Sequence, residues 1–123
     1  MTAMGKERSF LQGLDAEALN LVADRFRVLG EPLRLRILQL LLRRERSVME
    51  LAGELQTSQP NVSKHLRRLQ DAGLLRRRQE GNTAYYSIAD DSVVELCDLV
   101  CRHLAGRLAR QARALGGDPA DHS

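Results

Sequence analysis

Tryptophan is absent from this chain of 123 residues, and two Phe and two Tyr are its only aromatics, so any core has to be built from Leu, Val, Ile and Ala. At 43% hydrophobic content a chain of this length has enough apolar material for one such domain. No apolar run reaches the ~18 residues of a membrane span, and the first residues lack the apolar segment of a secretory signal, so a cytoplasmic protein is expected. Cysteine is scarce as well. Two residues cannot make a disulfide framework, and in the cytoplasm they read as thiols. Also missing are a glycine-rich phosphate loop and any spacing of nucleophile, base and orienting group. Cys101 and His103 stand two positions apart on one helix and point roughly 160° to 200° away from each other, which excludes them as a nucleophile and base. There is no internal repeat and no long linker. Residues 1–9 and 116–123 are expected to be flexible ends, the latter announced by Gly116-Gly117 and Pro119, leaving one domain over residues 10–115.

What the chain does have is charge in a particular place. Its 19 Lys and Arg against 16 Asp and Glu give only +3 overall, a mild excess that suits a nucleic-acid partner and proves none. Between positions 58 and 78, however, six Lys or Arg face a single acid, Asp71.

That segment lies within two short helices followed by a hairpin. Ser47 and Glu50 form a capping box, each side chain positioned to bond the other's amide, and open a helix running to about Leu55 with Val48, Leu51, Ala52 and Leu55 on its inner face. After a tight turn at Gln56-Thr57, a second helix starts with Ser58 as N-cap, tolerates Pro60 in its first turn and stops at Gly73. Val62, Leu66 and Leu69 make its inward stripe. Steps of about 100° put Pro60, Ser63, Lys64, Arg67 and Asp71 on the opposite side, with Gln59 and Asn61 at the N-terminal end. Amide, hydroxyl and cationic groups on the first half of a helix are what reach base edges and phosphates in a major groove. A strand at residues 74–78, a turn around Gln79-Glu80-Gly81-Asn82 and a strand at residues 83–88 complete the unit. Arg76 and Arg78 share one strand face and Arg77 takes the other, presenting guanidinium groups to a phosphate backbone.

These residues resemble the ArsR/SmtB family, small dimeric winged-helix repressors that release DNA on binding a metal, a metalloid or another signal. The likeness spans residues 26–108. It is carried by Leu29-Gly30-Glu31-Pro32-Leu33-Arg34-Leu35-Arg36-Ile37-Leu38, by Ser58-Gln59-Pro60-Asn61-Val62-Ser63-Lys64-His65-Leu66-Arg67-Arg68-Leu69, and by a wing with Gly81 at its tip and Tyr85-Tyr86 behind it. The resemblance implies a mainly α fold with a small β-hairpin: a winged helix-turn-helix of about five helices and a two-stranded wing, dimerising through its terminal helices. Gln59, Asn61, Ser63 and Lys64 are then expected to contact the groove, with Ser58 and the wing-tip Asn82 beside them, and Arg67, Arg68, Arg76 and Arg78 to contact phosphates of double-stranded DNA. His65 stands in the family motif and is counted with the DNA-binding residues, although it lies toward the inner side, where it would orient the helix instead. A winged helix serving only as a protein-interaction module is the competing class, and a cationic, groove-facing helix argues against it.

Two further apolar stripes need a cover. Leu11, Leu14, Ala18, Val22, Phe26 and Leu29 are expected along a first helix capped by Asp15. Val93, Leu96, Cys97, Val100, Leu104 and Leu108 follow the wing on a long helix capped by Asp90 or Asp91. One copy has few elements left to cover both. A two-fold homodimer does, and it places two recognition helices on adjacent half-sites of a palindromic operator.

The resemblance also allows the family's sensing sites to be compared position by position. Where the family's arsenic site has cysteines, this chain has Ser47-Val48-Met49-Glu50-Leu51-Ala52, so that site is absent. The zinc positions of the last helix correspond to Asp90, Ser92, His103 and Gly106, which leaves two ligands where tetrahedral zinc takes four. There remain Cys97 and Cys101, at i and i+4. Their Cβ atoms would lie about 5 to 6 Å apart, too far for a direct disulfide. Either something bridges them, such as arsenite, antimonite, a soft metal or a chain of sulfane sulfur, or they pair across subunits. Equally, buried free cysteine behaves as a small hydrophobe, and the pair could be packing in a regulator that senses no metal.

Overall fold

The computed structural model describes residues 9–114, which fall into two units meeting between Ala89 and Asp90. Of the expected flexible ends at residues 1–9 and 116–123, residues 1–8 and 116–123 lie outside the described residues, whereas Ser9 is described and its side chain accepts from the Leu11 N–H.

The first unit begins with a 3-10 turn at Phe10–Gly13, after which Asp15 caps helix α1 (Ala16–Leu29) by accepting from the Ala18 N–H at 2.9 Å. Because Asp15 is itself extended and ends the preceding segment, the helical stripe cannot reach back past it. Leu11 therefore sits in the turn and Leu14 in extended backbone, a correction to the stripe expected from spacing. Pro32 occupies the first turn of α2 (Pro32–Leu41), where no intrahelical partner is lost. Then follow β1 (Arg46–Ser47), α3 (Val48–Leu55), α4 (Gln59–Asp71), β2 (Leu75–Glu80) and β3 (Thr83–Ile88).

The Ser47–Glu50 capping box forms as expected, with Ser47 N–H donating to Glu50 Oε1 at 3.0 Å and Glu50 N–H donating to Ser47 Oγ at 3.1 Å. Ser58 Oγ caps α4 by accepting from Asn61 N–H at 3.2 Å. Gln56 closes α3 in the left-handed region at φ 55°, a position where sequence alone would favour glycine.

The wing is tighter than residue composition implied. Both strands run to a two-residue Gly81-Asn82 turn, with Gly81 at φ +61°, the positive value a II′ hairpin turn requires at its first central position. The sheet also has a third strand, in the order β1-β3-β2, with Arg46 opposite Tyr86 and Ser47 opposite Tyr85. Two residues are too few to show a period of two, so this strand left no mark in the hydrophobic pattern. It anchors the wing base to the start of α3.

The core is aliphatic, as a chain short of aromatics demands: Val28, Ile37, Leu51, Val62, Leu66, Leu69 and Leu74 are its most fully enclosed side chains. Arg46 is buried among them and satisfied. Its Nε lies 2.9 Å from both Glu54 carboxylate oxygens, and its guanidinium also donates to the carbonyls of Arg44 and Leu40.

The second unit is helix α5 (Asp91–Ala114), capped by Asp90, whose Oδ1 accepts from the Ser92 N–H at 3.0 Å and from its hydroxyl at 2.6 Å. Val93 is buried, at 3% exposure, whereas Val100, Leu104 and Leu108 remain solvent-facing. No helix among the described residues is long and apolar enough to cross a membrane.

Candidate nucleic-acid interface

Helix α4 is divided sharply between its two sides. Val62, Leu66 and Leu69 have no exposed surface at all, while Ser58, Gln59, Pro60, Ser63, Lys64, Arg67 and Asp71 are exposed. An apolar face that is fully covered fixes the helix in rotation, so the polar face has one direction to point. Gln59, from the first turn of α4, and Asn82, from the wing tip, line the same open cleft of about 550 Å³, together with Met49, Thr83 and Tyr85. The recognition helix and the wing thus present polar groups to a common space.

The expected contact residues do not all survive as free groups. His65 is a correction: it is buried at 7% exposure and its Nδ1 accepts from Arg34 Nε at 3.0 Å, so it faces the interior and not DNA. Asn61 is half-buried, and its side-chain amide donates to the Thr57 hydroxyl at 3.0 Å, which turns it back into the helix-turn-helix corner. Arg68 lies 3.6 Å from Asp24 of α1. Arg78 is held more firmly, donating to Glu45 at 2.5 Å and to Glu80 at 3.0 Å, with its guanidinium 4.9 Å from the Tyr85 ring. The hydrogen bond from Arg78 holds the Glu45 carboxyl below its usual range. Both arginines carry a charge already compensated by protein carboxylates.

Among the described residues Lys64 and Arg76 have no ion-pair partner, and Arg67 has only a loose surface contact to Asp71 at 3.8 Å. Exposed pairs of that kind contribute little and yield readily to a phosphate. Among the expected contact residues the uncompensated positive charge is therefore concentrated on Lys64, Arg67 and Arg76, with the wing's Arg77, which donates only to Gln79, beside them. The residues that sequence reasoning assigned no part are those that hold the site in place: Arg34, Arg46 and Glu45. Arg34 stood inside a recognised motif. Nothing in composition marked the other two.

Of the side chains expected to cover a dimer interface, Phe26 of α1 and Val100, Leu104 and Leu108 of α5 are exposed, and Ala18, Val22 and Leu96 are half-buried. Leu14, outside α1, is also half-buried. Val93 is a further correction, since it is already covered within the chain. Leu19, Leu21 and Leu99 add exposed apolar surface that spacing did not single out. Cys97 is half-buried and Cys101 exposed, both as free thiols. Burial, then the neighbouring Cys101 and Asp98, push the Cys97 thiol above its usual pKa. No cluster of three or more His, Cys, Asp or Glu able to hold a metal ion occurs among the described residues.

Residues 31–77 match the family model described as bacterial regulatory protein, arsR family. The chain is 38% identical over 100 residues to the HTH-type transcriptional regulator KmtR of Mycobacterium tuberculosis, a match covering 79% of this chain and 77% of that one. Its fold superimposes on the crystal structure of Mycobacterium tuberculosis Rv0081 with a TM-score of 0.72 at 36% identity, over 79% of this chain and 98% of that one. The solution structure of Mb0332 from Mycobacterium bovis, a homodimeric winged helix-turn-helix DNA-binding domain, gives a TM-score of 0.71 at 31% identity, over 85% of this chain and 94% of that one. With a helix-turn-helix, a wing and an outward cationic face in place, the chain belongs to the ArsR/SmtB family of winged helix-turn-helix DNA-binding transcriptional regulators.

Proposed function

We propose that this chain is a sequence-specific transcriptional repressor that binds a palindromic operator as a homodimer and is released by a thiophilic effector at Cys97 and Cys101. The observation that carries the DNA-binding half is the exposure of Gln59, Ser63, Lys64 and Arg67 on a helix whose opposite face is fully enclosed, beside a wing bearing Arg76. Dimerisation is supported by the apolar side chains that α1 and α5 leave uncovered, Phe26, Leu104 and Leu108 among them. These are large side chains at helical spacing, and a second copy removes them from water.

Support for sensing is the pairing of two free thiols at i and i+4 on α5, one of them exposed. Cadmium would bind the two thiolates with release of both thiol protons, whereas arsenite or antimonite would condense with the two thiols, their protons leaving with the displaced hydroxides as water. A bridged pair favours one geometry of a dimer helix over another, and a ligand that prefers the geometry with mismatched recognition helices shifts the population off DNA. One observation favours a second reading, a regulator of the same family in which the cysteines only pack: the raised pKa of Cys97 keeps it a thiol at neutral pH.

Reduced protein bound to labelled promoter DNA, titrated with arsenite, antimonite, cadmium, zinc and inorganic polysulfide, separates the two. Selective release by one thiophilic agent, lost in the Cys97→Ser/Cys101→Ser variant, is the expected result. Binding that ignores all five agents, or release that survives the double substitution, removes the cysteines from the mechanism.

A further inference from the structure

The pair formed by half-buried Arg34 and buried His65 lies outside the DNA-facing surface, yet it touches three elements. Arg34 projects from α2. One of its terminal nitrogens donates to the Val28 carbonyl in the last turn of α1 at 3.1 Å, and its Nε donates to His65 Nδ1, in the middle of α4, at 3.0 Å. A guanidinium has donors only, so Nδ1 must accept and the ring proton resides on Nε2. This is a link of a particular kind. It exists only while the imidazole is neutral, because a protonated ring would turn an N–H toward a permanent cation.

We propose that Arg34 and His65 are positioning residues that brace the recognition helix α4 against the end of α1, and that the brace holds only with His65 neutral, so that acidification weakens operator binding. The inference rests on the DNA-binding reading above. The charged groups facing the ring are Arg34 from α2, Lys64 from α4 itself and Glu31 at the N-cap of α2. Burial comes first, and the Arg34 and Lys64 charges follow, in pushing the His65 pKa below its ordinary value, with Glu31 opposing. The sign follows from that direction. A group whose folded pKa is depressed contributes stability that is complete above its unfolded value and is lost as the pH falls through the folded one. The field of DNA acts the opposite way, since phosphates favour protonation of any histidine near them and would strengthen binding in acid. A fall in affinity on acidification therefore marks the brace.

The test has two parts, both on the full chain. Operator affinity is measured by fluorescence anisotropy from about pH 7.5 to about pH 5.5 for the wild type and for His65→Gln, whose amide oxygen can accept from Arg34 without titrating. In parallel, the wild-type His65 ring is titrated by NMR while the backbone amides of Val28 and α4 are followed. The expected result is a roughly three- to tenfold acid loss of affinity in the wild type, absent from His65→Gln, with Val28 and α4 resonances moving at the midpoint of the His65 ring. Identical pH profiles in the two proteins overturn the inference. So does a His65 titration that leaves the α4 and Val28 amides unmoved, which also decides the matter if the variant fails to fold. A chain that binds DNA at no pH defeats the DNA-binding reading instead, and the NMR titration still shows whether the brace exists.

Discussion

Leu66→Ala is expected to lower the free energy of unfolding by about 2 to 5 kcal/mol, the range for truncating a fully buried leucine whose cavity relaxes only in part. Leu66 has no exposed surface and sits midway along the enclosed stripe of α4 between Val62 and Leu69. Domains of this size are stable by about 5 to 15 kcal/mol, so the loss is a large fraction of the total. At about 4 to 8 °C per kcal/mol the thermal midpoint falls by roughly 10 to 40 °C, read by far-UV circular dichroism. Lys64→Ala, two positions away on the exposed face of the same helix, should change stability by no more than about 0.5 kcal/mol. If both substitutions proved equally mild, α4 would not be docked by its apolar stripe.

The complementary expectation concerns binding. The double variant Lys64→Ala/Arg76→Ala removes two expected contact cations that have no ion-pair partner among the described residues, and it should weaken operator binding while leaving the fold intact. Each lost phosphate contact reduces the slope of log affinity against log salt by about 0.9, so a two-fold dimer carrying both changes should lose roughly four units of slope if all four contacts are made. Arg78→Ala supplies the contrast. With Glu45 and Glu80 already on its guanidinium, Arg78 gives up a protein partner for every phosphate it gains, and its removal should change the slope less than that of Arg76. Anisotropy titrations at several salt concentrations measure all three. Equal slopes for wild type and double variant would remove Lys64 and Arg76 from the footprint.

The contrast between Arg76 and Arg78 shows where reading the sequence succeeds and where it stops. Local signals were sufficient for the helix-turn-helix: the Ser47–Glu50 box, the Ser58 cap and the Val62, Leu66, Leu69 stripe each depend on residues three or four apart, and all form as expected. Charge counting over residues 58–78 found six cations and one acid but could not see the carboxylates that come from outside the window. Glu45 reaches Arg78 across 33 positions, and Asp24 reaches Arg68 from α1. His65 was legible as inward-facing, whereas its partner Arg34, 31 positions earlier, was not. The α1 stripe went wrong for a different reason. Apolar periodicity carried Leu11 and Leu14 into the helix, but a capping aspartate outweighs periodicity in setting where a helix begins. The two-residue strand β1 was too short for any periodic signal, although it positions the wing.

The DNA-reading claim is tested most directly by titrating the unmodified chain against labelled DNA from its own promoter and against a scrambled duplex of the same length, over a range of salt. A dimeric winged-helix regulator gives tight binding to the promoter with two chains per operator, much weaker binding to the scrambled duplex, and affinity that falls steeply with salt. Equal affinity for the two duplexes, or binding indifferent to salt, would contradict it.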